Sequence, residues 1–211
     1  MAQKNRNYQK EMEKIIEEFK GVRKTLLLHS CCAPCSSAVL EKLQEVFEIT
    51  VFFYNPNISE NGEYQKRIEE QKRLIESFNQ KNPDFPIKIV DGNYEPEEFY
   101  KIAAGLEKCP EGGERCFRCF ALRLEKTAQL AKEENYDFFT TTLTISPLKN
   151  AAKLNEIGEE MAAKYETAFL PSDFKKKEGY KRSIELSKEY DLYRQNFCGC
   201  AFSKAESLQT K

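Results

Sequence analysis

Apolar positions along the chain follow two different patterns. Met12, Ile15, Ile16 and Phe19 recur at helical spacing. Thr25-Leu-Leu-Leu-His29 is a short continuous run and reads as a buried strand. Cys31-Cys-Ala-Pro-Cys35 follows as a turn, and Ser36–Val46 as a helix with Pro34 near its start. Ile49–Tyr54 predicts a second buried strand, closed by Asn55-Pro-Asn57. Tyr64–Phe78 is a charged amphipathic helix, and Pro86–Val90 a third strand that leaves through Asp91-Gly92-Asn93. Pro96–Gly105 reads as a helix, followed by the irregular Cys109-Pro-Glu-Gly-Gly113 and a long helix from Glu114 to Glu134. Phe138–Leu143 predicts a fourth strand, Pro147 opens a helix reaching Lys164, and Thr167–Leu170 is a candidate fifth strand. Beyond Pro171 lie Lys175–Lys177, a helix near Arg182–Tyr190, and Cys198-Gly-Cys200.

Strands alternating with helices predict a Rossmann-like α/β fold, a parallel sheet covered on both faces and joined by right-handed crossovers. With no repeat and no low-complexity linker, 211 residues are read as one domain. Residues 1–23 supply an N-terminal helix and 24–170 the core. Residues 171–211 form a helical, cysteine-bearing segment that completes a metal site.

Composition narrows the function. The apolar fraction is 40% and the charged fraction 32%, but fifteen Phe and ten Tyr supply apolar mass, so the chain reads as folded with solvated helices. A net charge of −1 gives no global field toward nucleic acid, so any RNA contact must use a local patch. The apolar runs are too short to span a membrane, and the N-terminus lacks the apolar stretch of a secretion signal. A cytoplasmic location is expected, and it changes the meaning of eight cysteines. In a reducing compartment clustered thiols point to metal or redox chemistry rather than disulfides, outside hyperthermophiles.

Seven of the eight fall into tight groups: Cys31/Cys32/Cys35, Cys116/Cys119 and Cys198/Cys200. Two residues between thiolates let both sulfurs face one metal or cluster, and Gly199 lets the last pair do the same. The first group follows a strand and opens a helix, in the crevice where open α/β sheets place ligands and where a helix N-terminus favours thiolate. Cys109 stands alone in a Pro/Gly loop and reads as an ordinary cysteine. Seven clustered sulfurs exceed the needs of one tetrahedral zinc, and all-sulfur ligation suits an iron–sulfur cluster with room for a second metal.

The segments His29-Ser-Cys-Cys-Ala-Pro-Cys-Ser36, Glu111-Gly-Gly-Glu-Arg-Cys-Phe-Arg-Cys-Phe120, Thr141-Thr-Leu-Thr-Ile-Ser-Pro-Leu-Lys-Asn150 and Leu192-Tyr-Arg-Gln-Asn-Phe-Cys-Gly-Cys200 occur in this order. Together they resemble epoxyqueuosine reductases of the QueH type, over about Lys24 to Ser203. The resemblance implies a fold of the HUP (PP-loop) kind and reduction of the epoxide of epoxyqueuosine at the tRNA wobble position. It also implies a [4Fe–4S] cluster with a second iron close by, and no dependence on cobalamin. All seven clustered cysteines fall on the family's cysteine positions. One departure from PP-loop relatives matters: Ser30-Cys-Cys-Ala-Pro-Cys35 stands where a Gly-rich phosphate loop would be, which argues against ATP use.

Removing an epoxide oxygen consumes two electrons, whereas a cluster usually passes one at a time, so an adjacent iron acting as Lewis acid would help. Asp173 is the leading oxygen ligand for that iron, with Asp91 second, and capping or solvation is the competing reading for either. Tyr193 and Arg194 are candidates to stack on or hydrogen-bond an extruded base. Lys149, Lys175, Lys176 and Lys177 are candidates for phosphate contacts, against the plainer reading of solvated charge. His29 reads as a core histidine, and Tyr54 and Asn55 as pocket residues. The electron donor stays unidentified. Two other functions fit parts of the pattern. A PP-loop-like tRNA thiolation enzyme would bind ATP, and a zinc-stabilised RNA-binding module would be colourless and free of iron.

Overall fold

The computed structural model describes residues 6–209, and its first strand shows how the architecture arises. In β1 (Lys24–His29), Leu26 and Leu28 enter one apolar cluster and Leu27 another, all three wholly buried. A strand covered on both faces has no need of polar alternation, which is why this segment reads as a continuous run. β2 (Phe47–Phe53), β3 (Lys88–Asp91) and β4 (Phe138–Thr141) join it in the order β3-β2-β1-β4, every pairing parallel. Leu26 lies opposite Ile49 on one side and Phe138 on the other.

Helices cover both faces. One cluster gathers Met12 of α1 (Tyr8–Glu18), Val39 and Leu40 of α2 (Ala33–Leu43), and Leu74 and Phe78 of α3 (Asn61–Lys81). The other gathers Leu124 and Ala128 of α5 (Glu114–Glu133) with Leu154 and Ile157 of α6 (Ala151–Tyr165). Between them in the chain lies α4 (Pro96–Ala103). From the C-terminal segment, α7 (Gly179–Glu189) adds Leu186 to the first cluster, and Phe202 of α8 (Ala201–Gln209) packs beside Phe99 of α4. Among the described residues no helix is long and apolar enough to cross a membrane.

Several boundaries differ from the sequence reading, each for a local reason. α2 begins at Ala33, with Pro34 in its first turn, so Cys35 belongs to the helix rather than to the turn before it. α6 begins at Ala151 rather than at Pro147, because the Asn150 side chain caps it by accepting from the Lys153 N–H. The candidate fifth strand is reduced to one parallel bridge, Phe139 with Phe169. Pro171 follows at once and has no N–H to extend the ladder. Because β2 and β3 lie on one side of β1 and β4 on the other, the end of β1 is the topological switch point, where such sheets bind ligands.

Candidate metal centre

The first thiols are presented by the exit from β1. Cys32 is the extended residue before α2, and its carbonyl accepts from the Ser36 N–H. This places the Sγ atoms of Cys31, Cys32 and Cys35 within 4.8 Å of one another, with Cys31 and Cys32 3.8 Å apart. Metal–sulfur bonds of about 2.3 Å in a tetrahedron give sulfur–sulfur edges of about 3.8 Å, so this spacing suits direct ligation. The turn is braced from below. Ser30 and Ser36 hydroxyls both donate to Gln71 Oε1 at 2.8 Å, and the Asn55 amide donates to the Ser30 carbonyl.

His29, just before, is fully buried between Thr141 and the Tyr54 carbonyl. A carbonyl can only accept, so Nε2 carries the proton and Nδ1 accepts from the Thr141 hydroxyl. Burial, helped by the nearby Arg123 cation, pushes its pKa down to about 3, so it stays neutral and structural.

α5 and the C-terminal loop bring the other four thiols. Cys116, Cys119 and Arg123 are spaced i, i+3, i+7 and share one face of α5. Opposite, Gly199 adopts φ +120, and a Cβ there would meet Ile58 at 3.0 Å and Arg67 Nη1 at 3.2 Å. Arg67, buried on α3, pins this loop by donating to the carbonyls of Cys198 and Phe197 while its Nε binds Glu63. Cys116, Cys119, Cys198 and Cys200 line one small cavity together with Arg115 and Arg123. Beside it opens a cavity of about 420 Å³, lined by Cys31, Cys35, Cys198, Arg123, Lys149 and Arg194 among others. Cys198 and Arg123 line both, so the two cavities adjoin and thiols from all three cysteine groups line one or the other. All eight cysteines are unbridged.

Electrostatics divide the thiols. Hydrogen bonds from Cys32 and Cys35, supported by Lys149 and Arg123, hold Cys31 well below the ordinary thiol range, and the donors are raised, Cys32 to about 12. Burial pushes Cys119 up to about 12 and Cys200 to about 11, with neighbouring thiols adding to both, and it raises Cys116 as well. The raised thiols favour the protonated form, so metal entry there would be coupled to proton release. Burial alone would lower Lys149, but Cys198, Cys31 and Cys35 outweigh it and keep the ammonium charged.

Six of the seven clustered cysteines line these cavities and Cys32 lies beside Cys31, whereas Cys109 lines neither cavity and belongs to no such group. Lys149 and Arg194 face the large cavity, the latter held by Ser187 at 2.9 Å. Other candidates lie apart. Tyr193 lines neither cavity; its hydroxyl binds Glu63 and Lys66 covers its ring. Asp173 is buried but also lines neither, and it pairs with Lys175 at 2.8 Å. Lys177 pairs with Glu13, Lys176 is exposed, and Asp91 is engaged by Lys72 at 2.6 Å. Tyr54 and Asn55 support the turn without reaching either cavity. The sequence reading overlooked Arg67 and Arg123. Only the helical spacing of Arg123 from Cys116 and Cys119 pointed to it.

Comparison with known proteins is consistent along nearly the whole chain. Residues 26–206 match the family described as epoxyqueuosine reductase QueH. The Staphylococcus epidermidis protein of that name is 45% identical over 201 residues, covering 93% of this chain and 84% of the relative. The Streptococcus pyogenes protein is 43% identical, covering 93% and 78%. The Thermotoga maritima protein is 37% identical, covering 86% and 91%.

Proposed function

Because the chain belongs to the QueH family of epoxyqueuosine reductases, we propose that it reduces epoxyqueuosine at the wobble position of tRNA in the cytoplasm. We further propose that its seven clustered cysteines hold a [4Fe–4S] cluster and an adjacent iron. The observation that carries this reading is the convergence of unbridged thiols from all three groups: six line two adjoining cavities, and the seventh, Cys32, lies 3.8 Å from Cys31. Four sulfurs satisfy one zinc or one cubane cluster, so seven provide for more than one metal unit. When bound, such a centre supplies electrons from an external donor, singly, and Lewis acidity from the extra iron.

The chain's own residues would handle the rest. Removing the epoxide oxygen as water leaves a carbon–carbon double bond and consumes two electrons and two protons. The charged Lys149 Nζ faces the cavity and holds a proton where the oxygen would leave. About 420 Å³ lies within the ~300–1,000 Å³ of small-molecule pockets, enough to receive a base extruded from the anticodon loop. Arg194 and Gln195 line it, and the buried Gln195 Oε1 has no protein partner, leaving it to accept from a base edge. The Lys176 side chain, exposed and in no ion pair with Asp173 or Glu13, is left to meet phosphate. The thiol turn in place of a phosphate cradle disfavours the ATP-dependent thiolation reading.

Anaerobic purification tests the metal assignment. The protein should be brown, contain iron and acid-labile sulfide, and bleach in air. Stoichiometric zinc without sulfide would contradict it and favour the RNA-binding module.

A further inference from the structure

We propose that Arg123 is the buried counter-charge of the metal–thiolate centre and sets the potential at which that centre accepts an electron. This rests on the iron-bearing reading of the seven thiols. Arg123 is 1% exposed, yet among the described residues no carboxylate forms an ion pair with it. Its Nε donates to the Cys119 carbonyl at 3.2 Å, and its Nη2 is buried with no hydrogen-bond partner. The guanidinium lies 5.7 Å from the Phe120 ring centroid and lines both cavities.

A guanidinium cannot shed its proton, and a buried charge persists only beside compensating charge. The groups acting on it are the sulfurs of Cys119, Cys198, Cys31 and Cys116, from all three cysteine groups, which become anionic when they ligate a metal. Arg67 and Arg115, the other buried arginines lining these cavities, are differently placed. Arg67 pairs with Glu63 at 2.6 Å, and Arg115 binds the Leu106 and Glu107 carbonyls and reaches Glu206 at 3.5 Å. Lys149 adds a second cation from across the large cavity. When one electron enters the centre from a one-electron donor, the centre becomes one charge more negative and no bond changes. A fixed cation favours that product, so Arg123 makes reduction easier. Its place on the same helical face as Cys116 and Cys119 fixes the distance.

The test is a dithionite titration with redox mediators on full-length, anaerobically purified protein, comparing Arg123→Gln and Arg123→Lys with the parent. Arg123→Gln should retain iron and sulfide but move the midpoint negative by at least tenfold in the reduction equilibrium, about 59 mV for a one-electron couple. Arg123→Lys should recover most of the shift. A folded Arg123→Gln protein that loses metal, with metal kept in Arg123→Lys, would also support the counter-charge role. Three results would overturn it: full metal with an unchanged midpoint in Arg123→Gln, equal shifts in both variants, or metal loss from both while folded. If the parent itself held no iron and sulfide, the underlying metal reading would fall instead.

Discussion

Cys31 sits low in pKa because Cys32 and Cys35 donate to it and two cations face it. The Cys109 sulfur instead lies where a Cβ on Gly113 would come to 2.6 Å, a packing role in the loop before α5. Cys109→Ser should therefore leave iron per chain unchanged, while Cys119→Ser should remove most of it. Metal analysis on matched preparations decides, and equal losses would refute this division. His29 gives a second residue-scale prediction. Its folded pKa of about 3 lies below the ordinary 6.5, so the unfolded chain binds the extra proton. The stabilisation is complete above about pH 6.5 and is lost as pH falls toward 3, at up to about 1.4 kcal/mol per unit. Urea unfolding across that window should show a steeper acid loss in the parent than in His29→Asn; parallel slopes would contradict the buried neutral imidazole.

At the scale of elements, helices are held by close approaches that composition does not reveal. A Cβ on Gly158 of α6 would collide with the Phe169 ring, which lies against Phe139 of the sheet. Gly62, in the exposed first turn of α3, has open space around it. Gly158→Ala should cost about 1–3 kcal/mol by overpacking, and Gly62→Ala should gain about 0.5–1 kcal/mol. Thermal or urea unfolding checks both, and similar effects at the two sites would refute the packing argument. The strands and long helices were legible because a strand buried on both faces leaves a continuous apolar run, as Leu26–Leu28 does, and a long helix leaves its spacing of apolar positions. The start of α6 was misjudged because the Asn150 cap outweighed Pro147, and α8 went unread because Ala201–Gln209 carries only a weak apolar stripe. Cysteine pairing announced the thiols, but no local pattern could reveal that Tyr193 turns to Glu63 or that Asp173 meets Lys175. Those outcomes depend on partners 130 residues away in one case and on backbone direction in the other.

For the whole molecule, the topology explains why the thiols meet. The strand order places the end of β1 at the switch point, α5 packs over the same face, and the C-terminal loop returns beneath Arg67 to close the ring of sulfur. With a net charge of −1 there is no global field toward tRNA, and on the proposed reading Lys176 and Lys149 would serve two different tasks. Lys176→Ala should weaken tRNA binding modestly and reduce the salt slope by roughly 1, as for the loss of one phosphate contact. Lys149→Ala should leave that slope intact and depress turnover, because its ammonium faces the thiols. Binding titrations at several salt concentrations with single-turnover rates separate the two, and a reversal would exchange their roles. The most direct test of the account is nucleoside analysis of tRNA carrying epoxyqueuosine after incubation with the anaerobic, iron-loaded protein and dithionite, without cobalamin. The expected result is conversion of epoxyqueuosine to queuosine, absent with Cys119→Ser. Intact epoxyqueuosine after exposure to protein with full iron and sulfide would contradict it.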